Sequence, residues 1–261
     1  MATAGIDIGS VTTKAAVLDQ DFQLLSYAVM PTGGNNRKTA ETVLKLALTR
    51  ANIGKADVKQ IIATGYGREN VSFADRHITE ITCHAMGIYT LFPGARTIID
   101  IGGQDTKGIQ IDKEGRVINF IMNDKCAAGT GRFLDVMAHA LEVQVEDLAR
   151  LSQESKCSIK ISSMCTVFTE SEVISLVAKG ASIPDIIKGI HDAVAERSVI
   201  LLKKLNVCEP VAMSGGVANN KGLVGSLEEK LGTKIKIPEH PQIVGALGAA
   251  VLAQKSGSVA I

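Results

Sequence analysis

The sequence predicts an α/β protein of two similarly built lobes. Three observations carry that expectation: a glycine-turned hairpin motif occurs twice, strand-like segments alternate with helix-like ones, and the composition suits a sizeable core. Hydrophobic residues make up 46% of the 261 and charged residues 21%, which excludes disorder as the main state. Twenty-eight Lys and Arg against 27 Asp and Glu leave a net charge of +1, so no global field steers the chain onto nucleic acid or an anionic membrane. Aromatic residues are 3% with no Trp, which argues against a base-stacking surface. No apolar run approaches the roughly 18 residues of a membrane span. Met1-Ala2-Thr3-Ala4 leads straight into a strand-like segment without a charged leader, so a cytoplasmic location with no membrane or nucleic-acid partner is expected.

Gly5-Ile6-Asp7-Ile8 ends in Gly9-Ser10, and Lys14 to Leu18 follow before the polar Asp19-Gln20-Asp21. Two short strands joined by a small-residue turn are the natural reading. Residues 22–30 suit a third strand. Val43, Leu44, Leu46, Ala47 and Leu48 give residues 37–51 the spacing of an amphipathic helix. Residues 58–64 read as a strand left by the loop Thr64-Gly65-Tyr66-Gly67-Arg68, and residues 76–91 as a helix.

About 93 residues after the first hairpin the pattern returns as Ile99-Asp100-Ile101-Gly102-Gly103-Gln104-Asp105, then Lys107-Gly108-Ile109-Gln110-Ile111 and Asp112. That separation is too long for one unit of a solenoid, whose periods run about 20–50 residues. It divides the chain into lobes 1–94 and 95–242, with a C-terminal helix 243–261 completing the first. Within the second lobe, Phe133, Val136, Met137, Ala140 and Leu141 mark a helix and residues 186–205 another. Residues 210–214 form a strand before a helix 217–231, and Lys234-Ile235-Lys236 suits an exposed strand edge.

A small-residue hairpin tip gathers backbone N–H groups into a concavity that binds phosphate oxygens. Ser10, Thr12 and Thr13 add hydroxyls and Lys14 a charge. Asp7 and Asp100, at corresponding strand ends, are carboxylates that can hold Mg2+ through its retained waters. Gln104 and Asp105 are placed to orient a water against a terminal phosphate. A third glycine element, Met213-Ser214-Gly215-Gly216-Val217-Ala218-Asn219-Asn220, stands between strand and helix, where backbone can approach a flat ligand. Together with the duplicated hairpins it resembles the adenosine element of the actin, sugar-kinase and Hsp70 ATPase superfamily. That resemblance implies two duplicated ribonuclease H-like (actin-like ATPase) lobes with a nucleotide cleft between them, and ATP binding with hydrolysis or transfer.

Five cysteines, Cys83, Cys126, Cys157, Cys165 and Cys208, form no disulfide framework. Cys126 lies in Asn123-Asp124-Lys125-Cys126-Ala127-Ala128-Gly129-Thr130-Gly131-Arg132-Phe133, and Cys165 in Ile161-Ser162-Ser163-Met164-Cys165-Thr166-Val167-Phe168 before Glu170-Ser171-Glu172. Both are expected just ahead of a helix N-terminus, which favours a thiolate. Two buried small hydrophobes, a four-Cys zinc site at a dimer interface and a [4Fe–4S] cluster, which takes four thiolates, all remain open on spacing alone.

At these residues the sequence resembles the activator ATPases of 2-hydroxyacyl-CoA dehydratases, which are related to the ATPase subunits of benzoyl-CoA reductase. The motifs above, with Ala63 to Arg68 and Gly245-Ala246-Leu247-Gly248-Ala249-Ala250, spread that resemblance over nearly the whole chain. It implies a homodimer with one [4Fe–4S] cluster held by Cys126 and Cys165 of each subunit, and one ATP per subunit. Ser10, Val11, Thr12, Thr13, Lys14, Gly102, Gly103, Gln104, Gly215, Gly216 and Gln242 would line the nucleotide, with Asp7, Asp100, Gln104 and Asp105 at the chemistry. Electrons would come from ferredoxin or flavodoxin and pass to an iron–sulfur dehydratase, a benzoyl-CoA reductase or a double-cubane cluster protein. The rivals are a small-molecule kinase, a zinc-bridged structural dimer and a nucleotide-switched chaperone. Cys83-His84, Cys157, Cys208 and the scattered Met residues are left to packing, and His139 and His191 to the surface or an interface.

Overall fold

The computed structural model describes residues 1–162 and 165–258, with the side chains of 257 and 258 excepted. Ser163 and Met164 of the second cysteine motif and residues 259–261 of the expected C-terminal helix lie outside the described residues.

The first half runs β1 (Ala2–Ile8), β2 (Thr12–Leu18), β3 (Leu24–Pro31), α1 (Asn36–Ala51), β4 (Val58–Thr64), β5 (Arg76–His77) and α2 (Glu80–Leu91). The second runs β6 (Thr97–Ile101), β7 (Thr106–Ile111), β8 (Val117–Asn123), α3 (Gly131–Ala140), α4 (Leu148–Gln153), α5 (Thr166–Ala178), α6 (Ile183–Leu202), β9 (Val211–Ser214), α7 (Lys221–Leu231), β10 (Ile235–Lys236) and α8 (Val244–Ser258). Each half builds a five-stranded mixed sheet, β3-β2-β1-β4-β5 and β8-β7-β6-β9-β10, and the two orders are the same. The repeat extends to the turns. Asp19 accepts the N–H groups of Asp21 and Gln23, and Asp112, 93 residues on, accepts those of Glu114 and Arg116.

α1 starts where the Asn35 side chain accepts the Lys38 N–H at 3.0 Å and stops at Asn52, which adopts φ 55. Its buried face is Ala40, Val43, Leu44, Ala47 and Leu48, whereas Leu46 points outward. β1 is buried along its whole length, with α1 on one face of its sheet and α8 on the other. A side chain at Gly5 would strike the backbone of Ala246 and Ala250, so α8 lies directly on β1. α2 packs against α8 and also against the second sheet, where Ala85 and Ile88 join Ile98, Ile109, Ile111 and Val244. A side chain at Gly248 would meet the Cys83 carbonyl, so these two helices cross with their backbones nearly touching. The other core is built on the second sheet by α3, α4, α6 and α7.

Several boundaries differ from the sequence reading for identifiable reasons. The third strand begins at Leu24 because Phe22 takes φ 62 in the turn closed by Asp19. The expected helix 76–91 is a strand and then a helix. Arg76 and His77 pair with Ile62 and Ala63, and Thr79 caps α2 through the Thr82 N–H. The expected helix 217–231 is broken by a 3-10 turn at Gly216–Asn219, after which Asn220 caps α7. Cys208 is in a loop, since α6 ends at Leu202. His191 is not at the surface: it is 0% exposed. Burial, with Lys188 nearby, pulls its pKa from 6.5 down to about 4. A histidine kept neutral in the folded state loses stability as the unfolded chain takes up its proton. Acid titration is therefore expected to remove about 3 kcal/mol between pH 6.5 and pH 4, and a urea-unfolding series on His191→Gln is expected to lack that step.

Candidate functional site

The two hairpins place the same chemistry at the ends of the same strands. Asp7, next to last in β1, pairs opposite Lys14, and Asp100, next to last in β6, pairs opposite Lys107. In each pair the lysine Nζ is 3.2 Å from Oδ2. Beyond each carboxylate a glycine closes the turn: Gly9 N–H donates to the Thr12 carbonyl at 3.1 Å and Gly102 N–H to the Asp105 carbonyl at 2.9 Å. On the parallel side Asp7 faces Thr64 and Asp100 faces Ser214. Each is followed by a glycine in the left-handed region, Gly65 at φ 87 and Gly215 at φ 89, where a Cβ would strike the carbonyl of Ile8 or Ile101.

Between the turns lies a cavity of about 710 Å³. Asp7, Ser10, Val11, Thr12 and Lys14 line it from the first hairpin, and Asp100, Gly102, Gly103, Gln104 and Asp105 from the second. Gly215, Gly216 and Gln242 complete the set, and Gln242 Nε2 donates to Thr12 Oγ1 at 3.3 Å. Thr13 does not line the cavity. Strand alternation turns it inward, where its hydroxyl is 3.0 Å from that of Thr32.

Among the cavity residues that the sequence reading did not assign to the site are Lys107, Glu80 and His84, the last of which it left to packing. Lys107, 2% exposed, lies 2.8 Å from Asp105 Oδ2 and 3.6 Å from Glu80 Oε1 besides contacting Asp100. Its place in the repeat, matching Lys14, was the signal available. His84 reaches across from α2: its Nδ1 is 3.0 Å from Ser214 Oγ and 3.2 Å from Asp100 Oδ1, while Ser214 Oγ donates to the same oxygen at 2.8 Å. Glu80 sits one turn before it on the same wall. Nothing local marks either, because their partners come from another sheet. Cys83 and His84 do diverge, and burial pushes the Cys83 thiol up to about 12.

The electrostatics follow from burial and pairing. Burial alone would raise the Asp100 pKa, but His84, Lys107 and the Ser214 hydroxyl hold this carboxyl well below the usual range. Burial would lower Lys107, yet Asp100, Glu80 and Asp105 raise it above an ordinary lysine. Glu80 is pushed up by burial and by the carboxylates beside it, against the pull of Lys107 and His84. Away from the turns the cavity changes character, with Leu134, Val145, Ala149 and Val217 forming apolar walls beside Asp135, Glu146, Asn219 and Asn220. Small polar turns at one end and apolar walls at the other suit a ligand with a phosphate tail and a flat apolar head.

Neither Cys126 nor Cys165 lines this cavity. Cys165 is exposed and immediately precedes α5, as expected. Cys126 is half-buried and sits five residues before α3, whose first N–H groups are already taken. Gly131 N–H donates to the Gly102 carbonyl at 2.9 Å and Arg132 N–H to that of Gly103 at 2.8 Å. That helix end therefore braces the second phosphate turn rather than facing a free thiolate. Among the described residues no group of three or more His, Cys, Asp and Glu is placed to hold a metal. Cys165 is exposed and Cys126 half-buried, and two thiols do not by themselves close a four-thiolate site within one chain. Among the described residues no helix is long and apolar enough to cross a membrane.

Two repeated lobes with facing glycine turns and a cavity between them define an actin-like ATPase. The chain belongs to the BadF/BadG/BcrA/BcrD ATPase family, whose model matches residues 4–253. It is 46% identical, over 97% of this chain and 95% of the relative, to the 2-hydroxyisocaproyl-CoA dehydratase activator of Clostridioides difficile. The structure superposes with a TM-score of 0.96 and 45% identity on (R)-2-hydroxyglutaryl-CoA dehydratase component A of Acidaminococcus fermentans, covering 99% of both chains. It superposes with a TM-score of 0.95 and 45% identity on a Clostridium difficile activator with bound ADPNP, covering 99% of this chain and 96% of that one.

Proposed function

We propose that this ATPase is a cytoplasmic electron-transfer activator: a homodimer that couples ATP hydrolysis to low-potential delivery of single electrons into a partner iron–sulfur enzyme. The observation that carries this reading is the fastening of the Cys126 loop to the nucleotide cavity. Asp124 forms part of the cavity wall two residues before Cys126, and the N–H groups of Gly131 and Arg132 are bonded to the second phosphate turn. A change of contacts at the phosphates is thereby passed to the cysteine loop through main-chain hydrogen bonds.

ATP lies in the cavity with its phosphates over Ser10 to Lys14 and Gly102 to Gln104, and its adenosine against Gly215, Gly216 and Gln242. Asp7 and Asp100 suit a Mg2+ that keeps its waters. Cys126 and Cys165 of two subunits supply the four thiolates of a [4Fe–4S] cluster, the one-electron carrier between a ferredoxin or flavodoxin and the acceptor. Val167, Phe168, Ile174 and Val177 of α5 are 65%, 68%, 53% and 40% exposed, an apolar surface beside Cys165 that a second subunit would cover. Lobes 1–94, completed by the C-terminal segment 243–261, and 95–242 then move relative to each other as the nucleotide changes. The names of the relatives favour a 2-hydroxyacyl-CoA dehydratase as acceptor.

Anaerobic purification tests the proposal. A brown dimer with about four Fe, bleached by dithionite, is expected. A colourless protein with zinc at the cysteines would falsify it, and so would stoichiometric phosphorylation of a small molecule.

A further inference from the structure

His191 is fully buried yet lies outside the lining of the nucleotide cavity. It stands midway along α6, and its Nε2 is 3.0 Å from Asn220 Nδ2. Asn220 Oδ1 accepts the Leu223 N–H at 3.0 Å, which caps α7 and fixes the amide with its nitrogen toward the ring. An amide nitrogen only donates, so Nε2 accepts and the imidazole proton is on Nδ1. Nδ1 has no hydrogen-bond partner among the described residues. Burial pulls the pKa of the ring down to about 4, which keeps Nε2 an acceptor at neutral pH.

A buried N–H without a partner is destabilising, and an apolar side chain of this size would avoid that loss. What a histidine supplies here is the acceptor at Nε2. Gly222, in the first turn of α7, lets the ring come this close: a Cβ there would lie 2.9 Å from Cε1 and 3.0 Å from Nδ1, and would strike Ser152 Oγ of α4. The partner does more than cap a helix. Asn220 lines the nucleotide cavity, and its N–H donates to the Val217 carbonyl at 2.9 Å, closing the 3-10 turn Gly216–Asn219. Within that turn Asn219 Nδ2 donates to the Gly216 carbonyl at 3.1 Å. One side chain, Asn220, thus joins the glycine turn, the start of α7 and the middle of α6.

We infer that His191 is a positioning residue for the nucleoside half of the ligand: through the Asn220 amide it holds the turn Gly215–Asn219 in the shape that receives the base, so that this part of the site is formed before the nucleotide arrives. A preformed wall removes an ordering cost from binding. Without the acceptor at Nε2, the Asn220 amide either keeps an unpaired N–H or turns to find another partner and gives up the cap of α7. Both outcomes weaken the nucleoside wall and leave the two phosphate turns as they are. The loss therefore falls equally on ATP and ADP, which share the adenosine. The inference rests on the reading that adenosine lies against Gly215 and Gly216, and it is independent of the cluster and of any electron acceptor.

Two amides of different reach test this role, by calorimetric titration of ATP and ADP with kcat measured on the same proteins. A glutamine side chain can place its Oε1 where Nε2 stands, whereas an asparagine reaches only the Nδ1 position. His191→Gln is expected to keep the affinity for both nucleotides within about twofold. His191→Asn is expected to weaken ATP and ADP alike by about tenfold, with kcat at saturating ATP within about threefold. Photolabelling with 8-azido-ATP and mass spectrometry of the peptides locate the base, and label is expected within 131–149 or 213–224, the segments that wall the nucleoside end. Equal nucleotide affinity in the two variants would overturn the inference, and so would a loss for ATP that ADP does not share. Label confined to other segments would overturn the reading of where adenosine lies, whatever the variants do.

Discussion

Cys165→Ala is expected to lose the brown colour and bring iron below about one per dimer, from about four, while ATP affinity stays within about threefold of the unaltered protein. Cys165 is exposed, immediately precedes α5 and is not among the residues lining the nucleotide cavity, so its thiol contributes little to packing or to the phosphates. Removing it therefore isolates thiolate ligation from folding. Cys126 makes a less clean test, because it is half-buried and packs against the core of the second sheet. Its replacement combines loss of a ligand with loss of contacts. Iron analysis, the visible spectrum and calorimetric ATP titration on anaerobic protein read the three quantities separately. Iron retained by Cys165→Ala, or ATP binding lost with the iron, would remove the cysteine from its proposed role.

Much of this architecture was legible because the determinants are local and occur twice. An Asp ending an apolar strand, a glycine turn and a lysine across the hairpin are fixed by strand register, and Asp7–Lys14 and Asp100–Lys107 follow it at the same separation. What the sequence hid are contacts made when one element crosses to another sheet. His84 meets Ser214 from 130 residues away, and no period or spacing announces it. The burial of His191 was hidden for the same reason: residues that enclose it, Gly222 and Asn220, belong to the far end of the second lobe. The α3 N-terminus was misjudged because its position after Cys126 gave no sign that the Gly102 and Gly103 carbonyls occupy its N–H groups. Helix starts at Glu80 and Lys221 shifted because tertiary strand pairing and a 3-10 turn overrode local periodicity.

The largest stability effect is expected at Lys107. It is 2% exposed and serves three carboxylates, so Lys107→Met leaves Asp100, Asp105 and Glu80 without their shared cation. Breaking a buried ion pair from one side costs about 3–5 kcal/mol, which for a chain of this size lowers Tm by roughly 10 °C. The first-lobe counterpart sets the scale for comparison. Lys14 has one carboxylate partner and a side chain 13% exposed, so Lys14→Met is expected to cost about 1–2 kcal/mol by the same unfolding measurement. Asp100→Asn alone leaves Lys107 with Asp105 and Glu80, and Lys107→Met alone leaves Asp100 with His84 and Ser214. In the double variant neither charge remains, and part of the loss should return. A coupling of about 1 kcal/mol or more is therefore expected from the double-mutant cycle by chemical denaturation. Strict additivity would mean that Lys107 acts on Asp105 and Glu80 alone. Asp100 would then be held by His84 and Ser214 without help from the strand opposite, and the resemblance between the two Asp–Lys pairs would be one of position and not of energy.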